Sequence, residues 1–134
     1  MNHQAFDLES AANVMEGVVS GISDTQLDSP TPCADVSVRD LLTHVLGLTE
    51  AFRQAATKEA VGRSQPPGEL AVEFGDWHNR ISAQLKSLVE AWCEPAAWTG
   101  DTEAGGVLLP APEMATVALN ELVVHAWDLA RATS

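Results

Sequence analysis

Glu121 and His125 stand four residues apart in Glu121-Leu122-Val123-Val124-His125, and His44 sits in the run Leu41-Leu42-Thr43-His44-Val45-Leu46-Gly47. Residues four apart on a helix share one face, about one turn or roughly 5.4 Å along the axis. A carboxylate and an imidazole placed that way can reach one ion, and a histidine from a neighbouring helix would add a third ligand. Two neutral imidazoles and one carboxylate suit zinc, with nickel or iron as alternatives, and three protein ligands leave positions open for water or substrate. Spacing alone leaves a second reading open, in which Glu121 and His125 are a helix-surface ion pair and His44 a core histidine bonded to a carbonyl.

Other chemistry-bearing residues surround these three in the sequence. Asp128, three after His125, and Asp40, four before His44, could each orient an imidazole as a hydrogen-bond partner, or could pair with Arg131 or Arg39 instead. His78, in Asp76-Trp77-His78-Asn79, neighbours an apolar helix stripe and is weighed as a fourth ligand or proton shuttle against a solvent-facing side chain. Cys33 precedes a helix start, where a thiol's pKa can fall, yet its setting in Ser29-Pro30-Thr31-Pro32-Cys33 reads as a fixed turn that packs. Of the tryptophans, Trp77, Trp92 and Trp127 read as core, and Trp98, on a loop, as a candidate pocket wall. His3 reads as a surface residue.

Four amphipathic helices must position these side chains. The first spans about residues 4 to 20, with Phe6, Leu8, Ala11, Ala12, Met15, Val18 and Val19 at helical spacing, Gly21 as the stop and Ile22 tucking back. The second opens on Ser37 as N-cap with Asp40 three residues on, and Val36 and Leu41 placed as a hydrophobic staple; it runs to about Thr57, with His44 on its inward half. The third reads Leu70, Phe74, Trp77, Ile81, Leu85, Leu88 and Trp92, and Pro95 closes it. The fourth starts at Pro112, with Glu113 near the positive dipole end, and runs to about Thr133. Its inward stripe is Met114, Val117, Ala118, Leu122, His125, Ala126 and Leu129, with Glu121 at the margin. Between the last two helices, residues 96–110 read as a loop in which two or three extended residues are possible, too short for a sheet. These elements predict an all-α four-helix bundle.

At 134 residues the chain is expected to be one domain, residues 1–134, large enough to bury a core without structural metals or disulfides. Its 19 acidic against 7 basic residues give a formal charge of −12, which argues against nucleic acid and anionic membranes as partners. The first residues lack the pattern of a secretory signal and no stretch is long enough to span a bilayer, so a cytoplasmic location is expected, with Cys33 and Cys93 as free thiols.

The block Ser29-Pro30-Thr31-Pro32-Cys33-Ala34-Asp35-Val36-Ser37-Val38-Arg39-Asp40-Leu41-Leu42-Thr43-His44-Val45-Leu46-Gly47 is followed far downstream by Glu121-Leu122-Val123-Val124-His125-Ala126-Trp127-Asp128-Leu129-Ala130-Arg131-Ala132-Thr133. Together and in this order, these blocks resemble the metal-binding domain of mycothiol-dependent maleylpyruvate isomerases, in the DinB-like group of helical bundles. The resemblance covers nearly the whole chain and is weakest between residues 55 and 95. It implies a DinB-like four-helix bundle whose metal triad is His44, Glu121 and His125. A zinc-type ion there would activate a low-molecular-weight thiol such as mycothiol, or a water, and the thiolate would add to an electrophilic substrate in transferase or isomerase chemistry. The sequence ends at Ser134, directly after the second block, where relatives generally continue. Isomerase activity is therefore not implied by name, and the site is expected to be more open or completed by a second chain. The alternative is a non-catalytic metal- or small-ligand-binding module, assembled as a homodimer through exposed helix faces.

Overall fold

The capping box of the second helix forms as its residues require. Ser37 Oγ accepts the Asp40 N–H at 3.1 Å, and Asp40 Oδ2 accepts the Ser37 N–H at 3.3 Å. Helix α2 then runs Val38–Thr57 and stops at Lys58, whose left-handed backbone (φ 63°) ends the ladder. The computed structural model describes residues 6–59, 61–62 and 76–133. Its other helices are α1, Glu9–Ser20, α3, Trp77–Ala91, and α4, Ala111–Thr133. Ser37→Ala removes an acceptor from an otherwise orphaned backbone donor. It is expected to lower stability by about 1 kcal/mol in a urea titration, without shifting the register of α2.

Three boundaries differ from expectation for local reasons. Helix α1 begins at Glu9, where Asp7 Oδ1 accepts the Glu9 N–H at 2.8 Å, so Phe6 lies ahead of the helix and packs edge-on against Trp98 instead. Helix α3 begins at Trp77, because Asp76 adopts a left-handed conformation (φ 57°) that a continuous helix does not tolerate. Leu70 and Phe74, expected on that helix, lie outside the described residues, as does His3.

The third difference is a β-hairpin where a loop was expected. Strands β1, Asp101–Ala104, and β2, Val107–Pro110, pair antiparallel, and Gly105-Gly106 makes the two-residue turn with φ of 59° and 81°. Positive φ at both central positions is what a twisted two-residue hairpin needs, and two glycines supply it without steric penalty. Buried Thr102 donates from Oγ1 to the Ala55 carbonyl at 2.5 Å, tying the hairpin to the end of α2.

Helix α1 packs on α3 and α4, and α2 packs on the same two, so the helices close a ring in the order α1, α3, α2, α4. Leu8, Met15, Leu42, Ile81, Leu85, Leu88, Trp92, Met114, Leu122 and Leu129 fill its centre. Trp98 is core and not a pocket wall. Its ring is buried edge-on to Trp92, and its Nε1 donates to the Trp92 carbonyl at 2.7 Å. Trp127 goes the other way and is 57% exposed on α4, in an outward stripe with Val117, Val123 and Val124. The inward face of α4 is carried by Ala111, Met114, Ala115, Ala118, Leu122, Ala126 and Leu129, which leaves Val117 outside it.

Among the described residues, no helix is long and apolar enough to cross a membrane.

Candidate metal centre

Helices α2 and α4 pack side by side, and their facing turns bring His44 to Glu121 and His125. Glu121 Oε2 lies 2.8 Å from His125 Nε2 and 3.7 Å from His44 Nε2. The two imidazoles meet edge to face, with centroids 4.9 Å apart, and one ligand atom from each of the three residues falls within 4.8 Å of the others. A tetrahedral zinc with bonds of about 2.1 Å would hold its ligand atoms about 3.4 Å apart. The observed 2.8 and 3.7 Å bracket that spacing, and two nitrogens with one carboxylate oxygen are a donor set zinc favours.

The cluster sits at the rim of the bundle. His44 was expected on the inward half of α2, but its side chain is 43% exposed, while those of Glu121 and His125 are 35% and 16% exposed. Position 44 lies between the buried Leu41–Leu42 and Val45–Leu46 pairs, so the backbone is anchored in the core while the ring reaches solvent. Partial burial and the neighbouring His125 push the His44 pKa below the ordinary imidazole value, and Glu121 opposes them less strongly. That direction favours the uncharged ring, the form whose lone pair can bind a cation.

Behind His125 lies a second layer. Asp128 Oδ2 is 3.2 Å from His125 Nδ1 and 3.4 Å from the Cys33 thiol, which donates to it. Of the two aspartates weighed as hydrogen-bond partners, Asp128 is the one that meets an imidazole. Asp40 is taken up by the Ser37 cap, and Arg131 lies over the Trp127 ring with its guanidinium carbon 5.8 Å from the centroid. Cys33 reaches this position because its turn is fixed: its N–H donates to Thr31 Oγ1 at 3.1 Å, its carbonyl accepts the Val36 N–H, and Pro30 bridges to Ser37. Burial, then Asp128, push the Cys33 thiol's pKa up and keep it a proton donor. Proline spacing predicted the turn, but not that it delivers a thiol to α4, since Cys33 and Asp128 are 95 residues apart.

His78 is not part of this constellation. Its Nε2 lies 2.7 Å from the Ile22 carbonyl and its ring stacks on Trp77, so it ties α3 to the chain just beyond α1 and lies outside the ligand group of His44, Glu121 and His125. Cys93 is an exposed free thiol just beyond α3.

Residues 8–130 match the sequence profile of the mycothiol maleylpyruvate isomerase N-terminal domain. The chain belongs to this family. Cys33, His44, Glu121, His125 and Asp128 all fall within the span matched to the maleylpyruvate isomerase N-terminal domain. Two uncharacterized proteins of Mycobacterium tuberculosis strains are each 24% identical to it over 125 residues, which is 93% of this chain and 64% of theirs. The chain thus spans somewhat under two thirds of the length of these curated relatives. Among solved structures, the mycothiol-dependent maleylpyruvate isomerase superposes with a TM-score of 0.72 at 17% identity, and a mutant form of it with 0.73 at 16%. Each match covers 91% of this chain and 57% of the other. These likenesses establish the fold as that of the isomerase's DinB-like helical part, with four helices and the small hairpin.

Proposed function

We propose that this chain binds a divalent metal ion, zinc first with nickel or iron as alternatives, through His44, Glu121 and His125, and acts in thiol-dependent transferase or isomerase chemistry. The observation that carries this reading is the convergence of two imidazoles and a carboxylate within 4.8 Å at a rim open to solvent. His44 and His125 would offer imidazole nitrogens and Glu121 a carboxylate oxygen. A bound divalent cation would supply Lewis acidity, lowering the pKa of a thiol at its open positions so that thiolate exists at neutral pH.

The chain's own residues orient and admit. Asp128 holds the far side of the His125 ring, and the exposed edges of His44 and Glu121 leave a path from solvent to the ligand atoms. Mycothiol is the low-molecular-weight thiol to which the family's description points, and the second partner is a small electrophile to which the thiolate adds. A single domain over residues 1–134 and a cytoplasmic setting, where such thiols stay reduced, belong to the same reading.

The test is the rate at which mycothiol is alkylated by a small electrophile at pH 7. Zinc-loaded protein is expected to raise that rate, and the Glu121→Ala variant to leave it at the solution value. An unchanged rate with zinc-loaded wild type would contradict the catalytic reading and favour a metal-holding module. The outward stripe of Val117, Val123, Val124 and Trp127 supports such a module pairing with a second copy, because it leaves apolar surface on the helix that carries two of the ligands.

A further inference from the structure

We propose that Cys33 and Asp128 form a positioning relay that fixes the His125 ring and its tautomer, a proposal that rests on reading His125 as a metal ligand. Asp128 is only 6% exposed, and a carboxylate cut off from water requires hydrogen-bond donors. Two face its Oδ2: the Cys33 thiol at 3.4 Å and His125 Nδ1 at 3.2 Å.

A neutral imidazole carries one proton, so donation from Nδ1 to Asp128 leaves the Nε2 lone pair aimed at the side where Glu121 and His44 converge. The competing arrangement puts the proton on Nε2 toward Glu121, which lies closer at 2.8 Å but is 35% exposed and can be satisfied by water. Burial of Asp128 tips the balance toward Nδ1. The thiol holds Asp128 from behind, so the turn at residues 30–37 and helix α4 are joined at the site through one carboxylate. Neither Cys33 nor Asp128 touches the reacting atoms. Both act through His125.

The experiment compares wild type with Asp128→Ala, Asp128→Asn, Cys33→Ala and Cys33→Ser in two measurements. Zinc affinity by chelator competition is expected to fall about 10- to 100-fold in Asp128→Ala, the range found for lost outer-shell partners of ligating histidines. Asp128→Asn, which keeps an acceptor oxygen, should lose less. Cys33→Ser, which keeps a donor, should stay near wild type, while Cys33→Ala falls measurably. Nitrogen-15 NMR of the metal-free protein at mildly alkaline pH should place the His125 proton on Nδ1 in wild type and move it toward Nε2 in Asp128→Ala. That shift is one a general loss of stability would not produce.

Wild-type zinc affinity in Asp128→Ala, or a proton on Nε2 in wild type, overturns the relay. If wild type binds no zinc, the functional reading fails, while the tautomer still decides the relay. If Asp128→Ala does not fold, the Asp128→Asn and Cys33→Ala affinities decide it.

Discussion

Glu121→Ala is expected to lower zinc affinity by more than about 100-fold, beyond the range associated with outer-shell partners, because it removes the one anionic donor of the triad. What remains is a pair of imidazoles with centroids 4.9 Å apart. Two neutral ligands at a half-exposed rim hold a divalent ion poorly against water. The fold should not notice the change. Glu121 is about one third exposed at the margin of the stripe, alanine is the strongest helix former, and substitutions of that kind stay within about 0.5 kcal/mol. Chelator competition and a thermal melt of the metal-free protein, made on the same preparation, separate the two effects. A loss of affinity with an unchanged melting temperature is the expected pair. Unchanged affinity would remove Glu121 from the site.

Trp92→Ala should be the most destabilising single change in the chain, costing about 3–5 kcal/mol in chemical denaturation. Trp92 is fully buried just beyond α3, its Nε1 donates to the Phe52 carbonyl on α2 at 3.0 Å, and its own carbonyl accepts from Trp98. Truncation would open a cavity the size of an indole and leave the Phe52 carbonyl without that donor. Phe52 lies on α2, two turns beyond His44, so a weakened α2–α3 contact would reach the site only through helix position. Zinc affinity measured well below the denaturation midpoint is expected to change far less than stability does. A cost under 1 kcal/mol would mean that the tryptophans do not knit α2 and α3 together as described.

The parts of this molecule legible from sequence are those set by local chemistry. The Ser37–Asp40 capping box fixed the start of α2, and the four-residue spacing of Glu121 and His125 put both on one helix face. His44 was picked out beside them as a histidine on a neighbouring helix, the resemblance of the two blocks fell on the same three residues, and the structure brings His44 to the pair. Relations between segments distant in sequence were not legible. No periodicity signals that the Cys33 turn reaches Asp128, or that His78 finds the Ile22 carbonyl 56 residues away.

The hairpin was missed although its cue was present. Gly105-Gly106 is a two-residue turn signal, but four-residue strands on either side carry little alternation to support it. Trp127 and Val117 were placed inward because apolar residues usually are. On α4, Ala111, Ala115, Ala118 and Ala126 share the buried face with Met114, Leu122 and Leu129, and Val117 and Trp127 lie outside it.

X-ray absorption at the zinc edge of the loaded protein, with and without added mycothiol, tests the central claim most directly. The prediction is a shell of nitrogen and oxygen ligands at about 2.0–2.2 Å, joined by a sulfur at about 2.3 Å only when the thiol is present. The contradicting results are a protein that retains no zinc, or a sulfur ligand before any thiol is added. The latter would place the ion on Cys33, Asp128 and His125, the other group of potential ligands among the described residues, and not on the triad.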